Sequence, residues 1–223
     1  MDIIARMRAR LFIVSLTLVL GLLNLVTGGQ AQQRQRFNNV IDLLEQQKPV
    51  FGVYAPSNAT GRARGVAAAS APAVKAPIEL AKEALAYHTA DFLFSGSMEG
   101  GVDRALPAFT DFVKAMHDAG ALEKRPFLRL PAPLIIKTPK IAGSATNAVG
   151  SIGRQLNLGV SGIMFVEVES ADEVRAGLAA MRFTSKGGTR VDDVGMAPAY
   201  WGMSEHVYKQ KADLWPLPGW RAD

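Results

Sequence analysis

The middle of the chain repeats one unit: a short apolar run, a turn, and then a helix with one apolar face. The runs are "DFLF" at 91–94, "PLIIK" at 133–137 and "IMFV" at 163–166, and "VFGVY" at 50–54 has the same character. Strands that alternate with helices are typical of a parallel sheet with right-handed crossovers. The run at 163–166 has no polar alternation, which predicts a strand buried on both faces. The sequence therefore predicts the α/β class with four parallel strands.

Individual residues mark where the helices between these strands begin and end. Asp103 begins one helix and Gly120 ends it, since glycine readily adopts the backbone conformation that closes a helix. The next helix ends in the same way at Gly159. Ser170 and Glu173 form the S-x-x-E pattern of a capping box, which predicts that another helix begins here. Beyond this helix the pattern predicts one short helix at 204–211 and no further strand.

The first 31 residues have the composition of a secretory signal peptide. Arg6, Arg8 and Arg10 form a basic region, an uncharged apolar run follows at 11–26, and "GGQA" supplies small residues at the cleavage position. A membrane anchor is the alternative, because the run is close to the lower limit of about 17 residues for a span. Cleavage after Ala31 predicts a periplasmic or secreted protein without stable membrane association.

The amino-acid composition excludes several kinds of binding partner and several kinds of reactive site. Residues 1–31 carry three arginines and one aspartate, so their removal lowers the formal net charge from +5 to +3. No basic cluster with interleaved aromatic residues occurs, which argues against nucleic acid as a partner. The chain has no cysteine, which excludes disulfides, a thiolate nucleophile and a cysteine-ligated zinc site. Its three histidines share no metal-ligand spacing, and no nucleotide-binding glycine motif is present.

Three stretches carry a resemblance to a known family. The stretch "GIMFVEVESADEVRAGLAAMRF" with the following "GGTR" is similar to a strand, a helix and a Gly-x-Arg loop of one group of enzymes. "DFLFSGSMEGG" is similar to the second strand and turn of the same enzymes, and "FGVYAP" to their first strand. The chain thus resembles the HpcH/HpaI aldolase and citrate lyase β-subunit family, the metal-dependent pyruvate aldolases. The resemblance covers residues 36–217.

The family resemblance implies a TIM (β/α)8 barrel with its active site at the carboxyl ends of the strands. It also implies a small 2-oxo acid as substrate and a divalent ion, Mg²⁺ or Mn²⁺, that binds it. In such a lyase the ion stabilises a pyruvate enolate while a carbon–carbon bond of a 4-hydroxy-2-oxo acid is cleaved or formed. A basic residue on the third strand normally stabilises the enolate oxygen, and a histidine after the second strand normally transfers a proton.

The resemblance points to three catalytic residues in this chain. Glu99 occupies the acidic position of the family's acid–histidine pair, but Gly100 replaces the histidine. Lys137 stands where the third strand usually has arginine, and it supplies a point charge without the planar guanidinium geometry. Arg190 in "GGTR" resembles a loop residue near the active site. From the residues alone, each of the three charged side chains could also be a solvated surface group.

Glu167 and Glu169 follow the predicted fourth strand, so one of them could be buried near the same site. Glu169 also precedes a helix N-cap, where a negative charge is favourable without any catalytic role. The aromatic segment "APAYWG" and Trp215 predict a contact between subunits, and hence a homo-oligomer, since tryptophan and tyrosine commonly anchor interfaces.

The chain reaches only the fourth of the eight strands that a barrel requires. The family's metal-binding carboxylates follow strands five and six, so the resemblance places the metal ligands beyond this chain. The sequence therefore predicts the N-terminal half of an aldolase-type barrel at 32–217 and an atypical tail at 218–223. One interpretation is a truncated or frameshifted product, impaired in catalysis. The other is a genuine half-barrel that pairs with a second half.

Two other functions are compatible with the sequence. The first is a non-catalytic scaffold or binding protein that kept the barrel but lost the histidine and the metal ligands. The second is a phosphate-binding barrel of another superfamily, for which the glycine-rich turns are the supporting feature. The phosphate-binding loops of such barrels would also follow late strands.

Overall fold

The computed structural model describes residues 37–58, 73–124, 128–142 and 145–211. The predicted signal peptide at 1–31, the tail at 218–223 and Trp215 lie outside these stretches. None of the helices in these four stretches is long and apolar enough to cross a membrane.

Four strands form one sheet in the order β1–β2–β3–β4, and all three neighbouring pairs are parallel. The predicted α/β class with four parallel strands is therefore confirmed. In chain order the elements are α1 (Asn39–Glu45), β1 (Gly52–Tyr54), α2 (Pro77–Leu85), β2 (Phe92–Ser95), α3 (Val102–Asp118), β3 (Leu134–Lys137), α4 (Ala145–Leu156), β4 (Gly162–Met164), α5 (Ala171–Met181), a 3₁₀ turn (Thr184–Lys186), α6 (Ala197–Tyr200) and α7 (Glu205–Lys211).

One face of the sheet packs against helices α2, α3 and α4. Leu93, Leu134 and Ile136 point to this face, and each is at most 1% exposed. They belong to one apolar cluster with helix residues at the positions that the helical spacing predicts. The helix members of the cluster include Leu80, Phe109, Val113, Met116, Ile152 and Leu156. Burying a side chain of this size contributes about 1.5–3 kcal/mol.

The opposite face of the sheet has no helix packed on it in the described part of the chain. Tyr54, Phe94 and Ile135 lie in one row of the strand register, so their side chains share this face. None of them belongs to the apolar cluster, and Tyr54 is 74% exposed. Parallel sheets normally have both faces covered. We call this surface the open face, and its apolar side chains are those of Tyr54, Phe92, Phe94, Ile135 and Met164.

The prediction that the fourth strand is buried on both faces is wrong. β4 ends at Met164, two residues before the predicted end, and the Met164 side chain is 43% exposed. The Thr138 N–H donates to the Met164 carbonyl at 3.1 Å, just beyond the last paired residues of β3 and β4, Lys137 and Met164. β4 is also an edge strand, so its apolar residues reflect an uncovered face and not a central position in the sheet.

The aromatic segment near residue 200 packs into the core of its own chain. Tyr200 is 1% exposed and lies against Gly159, which enters β4. The Trp201 indole N–H donates to the Gly159 carbonyl at 3.0 Å. This segment therefore covers residues that precede β4, and its aromatic content has a structural reason within one subunit.

The capping pattern at Ser170 produces the expected helix start. The Ser170 hydroxyl accepts a hydrogen bond from the Glu173 N–H at 3.3 Å, and α5 begins at the next residue. The Glu173 carboxylate in turn accepts the Glu169 N–H at 3.4 Å. The reciprocal bond thus goes to the residue before the N-cap, one position earlier than in the standard capping box.

Replacing Ser170 with alanine should lower the free energy of unfolding by about 1 kcal/mol, because the Glu173 N–H loses its acceptor. Urea unfolding of the two proteins measures the difference. Ser170→Thr keeps a hydroxyl acceptor and is the matched control, so its stability should stay close to that of the parent. Equal losses in both variants would show that the hydroxyl does not act as a cap.

Candidate functional site

Each of the four strands brings one polar side chain to the carboxyl edge of the sheet. Tyr54 ends β1, Glu99 follows β2, Lys137 ends β3 and Glu167 follows β4. The carboxyl ends of parallel strands meet at the same edge, which is where α/β proteins usually bind ligands. We call these four residues the carboxyl-edge cluster.

Lys137 and Glu99 form an ion pair at the centre of this cluster. The Lys137 ammonium donates to Glu99 Oε2 at 2.9 Å, and the two side chains are 28% and 42% exposed. The hydrogen bond to Glu99 raises the pKa of Lys137, burial opposes this, and the negative charges of Glu99 and Glu167 raise it further. Lys137 is therefore a cation at neutral pH, and it is accessible to a small solute.

The glycine-bearing turn after β2 holds Glu99 beside Lys137. The Glu99 N–H donates to the Gly96 carbonyl at 3.2 Å, and the Gly101 N–H donates to the Met98 carbonyl at 3.1 Å. The Met98 side chain is fully buried and anchors the turn. A Cβ atom on Gly96 would lie 3.7 Å from the Lys137 side chain, so the turn passes directly beside it.

Gln155 of α4 supports the pair from below, and the sequence did not indicate this role. Its side-chain amide donates to the Lys137 carbonyl at 3.0 Å and to Met98 Sδ at 3.4 Å. The residue is fully buried, although glutamine is usually exposed. Gln155 thus joins the end of β3 to the turn that carries Glu99. Arg154 precedes Gln155 and Asn157 follows Leu156, so the local sequence gave no signal that Gln155 is buried.

A second group of charges lies beside the cluster, around Lys140. Its ammonium contacts the Glu169 carboxylate and lies 3.6 Å from Glu167 Oε2. The hydrogen bond to Glu169 raises the pKa of Lys140, and the same bond lowers the pKa of Glu169. Glu167 adopts a positive φ of 47°, which is uncommon for a residue other than glycine. The two glutamate side chains are 69% and 68% exposed, so the expectation that one of them is buried near the site is wrong.

Arg190 does not join Glu99 and Lys137. It is 2% exposed, donates to Asn157 Oδ1 at 2.7 Å, and lies 4.5 Å from the centroid of the Phe183 ring. Its Nε has no hydrogen-bond partner among the described residues. Asn157 and Phe183 belong to the segments that follow α4 and α5, whereas the carboxyl-edge cluster lies at strand ends. The structure therefore brings two of the three predicted site residues together.

The carboxylates near Lys137 do not fit a divalent ion by themselves. No group of three or more histidine, aspartate or glutamate side chains in the described stretches is arranged to hold a metal. Glu99 pairs with Lys137 and Glu169 with Lys140, and a lysine ammonium repels a second cation. We therefore derive no reaction step through a metal from these residues.

Comparison with protein families and with curated proteins identified no relative of this chain. No model of a protein family matches the chain, and no curated protein is significantly similar to it. The chemistry of the carboxyl-edge cluster and the motifs that resemble pyruvate aldolases are therefore the grounds for a functional proposal.

Proposed function

We propose that the carboxyl edge of the sheet binds a small 2-oxo acid, and that the chain derives from the metal-dependent pyruvate aldolases. The observation that carries this proposal is the partly exposed Lys137 cation, held by Glu99 at the adjacent strand end. The resemblance of the strand and turn motifs to the HpcH/HpaI family supplies the substrate class. Four consecutive parallel strands are half of the eight in that family's barrel, which supports the same relationship.

Lys137 acts as an electrostatic partner and not as a nucleophile. A lysine that forms a Schiff base must lose its proton, and its pKa is lowered by burial or by a neighbouring cation. The pKa of Lys137 is raised, mainly by its hydrogen bond to Glu99. A permanently protonated amine instead stabilises the carboxylate of a 2-oxo acid, or the oxygen of an enolate that forms from it.

Glu99 is a positioning residue in this proposal, because it fixes the Lys137 ammonium at 2.9 Å and leaves the rest of its donors to a ligand. Gly100 stands where the family has its proton-transfer histidine, so carbon–carbon bond cleavage by this chain is expected to be impaired. When bound, a Mg²⁺ or Mn²⁺ ion would polarise the 2-oxo group. The resemblance assigns its ligands to strands that follow the fourth.

Titration of pyruvate into the purified full chain, with and without Mn²⁺, tests the proposal. Isothermal calorimetry should show saturable binding of pyruvate, and lactate should bind more weakly because it lacks the oxo group. Binding that requires Mn²⁺ supports the aldolase ancestry. If neither condition gives saturation up to about 10 mM, which is above the usual range of KM values, the proposal is wrong.

A non-catalytic scaffold is the second candidate function, and the open face is the observation that favours it. An apolar sheet face without a covering layer is typical of a surface that binds another protein. A chain that does not bind pyruvate but associates through this face would be such a scaffold.

A further inference from the structure

The open face is an apolar surface at which aromatic side chains lie against the sheet. Tyr54 and Met164, at its two sides, are 74% and 43% exposed. The Tyr54 and Phe94 rings meet edge to face with centroids 5.3 Å apart. The Phe92 ring lies over Gly52, so closely that a Cβ atom there would be 2.2 Å from it. An apolar sheet surface of this kind is stable when a second layer excludes water from it.

The two sheet edges that border the open face are unpaired in the described part of the chain. β1 pairs only with β2, and β4 pairs only with β3. Proteins usually protect such edges with lysine, proline, a bulge or a covering segment. Neither β1, with the sequence GVY, nor β4, with the sequence GIM, contains a charged residue or a proline. Both edges can therefore accept another strand.

One symmetry operation pairs both edges at once. A two-fold rotation about an axis parallel to the strands keeps every strand parallel, and it brings β4 of each copy beside β1 of the other. The two edge strands have the same length of three residues, so each can pair along its whole length. Eight parallel strands also form a barrel whose interior is just wide enough for side chains to fill.

We propose that two copies of this chain form a symmetric dimer in which the open faces become the interior of one closed eight-stranded barrel. The contact is between β4 of one copy and β1 of the other, and it occurs twice. This assembly goes beyond the proposed function, since it holds whether or not a 2-oxo acid binds.

The dimer would also change the surroundings of the carboxyl-edge cluster. Lys137 lies two residues after Ile135 in β3, so its side chain points to the same face of the sheet. Because the symmetry axis is parallel to the strands, the carboxyl edges of both copies lie at the same end of the barrel. Two Lys137 cations and two Glu99 carboxylates would therefore surround one barrel mouth.

Cross-linking between edge strands tests this arrangement directly, since the chain has no cysteine of its own. Chains with Tyr54→Cys and chains with Met164→Cys, one of them isotope-labelled, are co-expressed and treated with a short bifunctional thiol reagent. We expect a covalent dimer of one chain of each kind, identified by mass spectrometry. Val191→Cys replaces Tyr54→Cys in the control, because Val191 is 67% exposed but lies outside the open face.

The products distinguish the dimer from other ways of covering the face. Products that join position 54 to 54, or 164 to 164, would show that two sheets pack face to face, and would overturn the barrel. The absence of any product beyond that of the Val191→Cys control would show that something other than a second copy covers the face. That result would also overturn the proposal.

Sedimentation equilibrium of the full chain gives an independent measure. The parent should have twice the mass of one chain, and Met164→Glu should weaken the dimer at least ~100-fold. The substitution moves a carboxylate from water into the barrel, beside Lys137, whose ammonium already pairs with Glu99. The matched Val191→Glu variant should leave the dimer unchanged. A monomeric parent, or a Met164→Glu protein with the parent's affinity, contradicts the proposal.

Discussion

Replacing Gly159 with alanine should lower the free energy of unfolding by about 3 kcal/mol, the combined cost of a left-handed backbone and of overpacking. Gly159 has a φ of 95°, a backbone conformation that residues other than glycine rarely adopt. An added Cβ atom would also lie 2.7 Å from the ring of Tyr200, which is buried and cannot move into solvent. Urea unfolding of both proteins, monitored by circular dichroism, measures the loss.

Gly120 provides the matched control for this substitution. Its φ is 87°, nearly the same as that of Gly159, but no atom lies within 4 Å of its missing Cβ. Gly120→Ala should therefore cost only the backbone strain, about 1–2 kcal/mol. In a Tyr200→Ala background, Gly159→Ala should also cost only the backbone strain, because the ring that the added Cβ atom meets is absent. If Gly120→Ala and Gly159→Ala are equally destabilising, the contact with Tyr200 makes no contribution.

Replacing Lys137 with methionine should weaken the binding of pyruvate by about 10- to 100-fold, the range for loss of a hydrogen bond to a charged group. This prediction depends on the proposed function. Methionine keeps much of the length and apolar stem of lysine, and the pair with Glu99 is partly exposed, so the fold should be retained. Calorimetric titration of pyruvate into the two proteins gives the ratio of affinities.

Lys140→Met is the control for an effect of net charge. Lys140 lies at the same edge of the sheet, but its ammonium is engaged by Glu169 and Glu167. Its removal should change the affinity for pyruvate by no more than about twofold, as for an ordinary surface substitution. Equal weakening by both variants would mean that pyruvate responds to the general charge of this edge and has no site at Lys137.

The strands were predictable from the sequence because their apolar runs are bounded by turn residues. β2 and β3 lie within one residue of the predicted runs at 91–94 and 133–137. The end of β4 was not predictable, because the apolar run continues to Val166 while the pairing with β3 stops at Met164. Gly120 and Gly159 also show the difference between a feature that the local sequence predicts and one that depends on the fold. Both were predicted to end helices, yet only the fold brings a buried tyrosine against one of them.

The candidate site was predictable where chain topology alone determines position. Glu99 and Lys137 follow adjacent parallel strands, and the structure places them in contact. The support from Gln155 was missed because the local sequence gives no reason for a helical glutamine to be buried. Arg190 stands in a glycine-rich segment that suggested a loop, but its burial depends on Asn157 and Phe183, which are distant in sequence.

The order of the strands in the sheet is also their order in the chain, and this affects how the protein is made. Each strand pairs with the one synthesised just before it, so no strand has to wait for a distant partner to emerge from the ribosome. Neighbouring strands are still 27 to 41 residues apart in the sequence, since Gly52 pairs with Phe92, Leu93 with Leu134 and Ile135 with Gly162, so each pairing closes a loop before its contacts form. The sheet can thus grow during translation by adding one strand and one helix at a time to the edge left by the last.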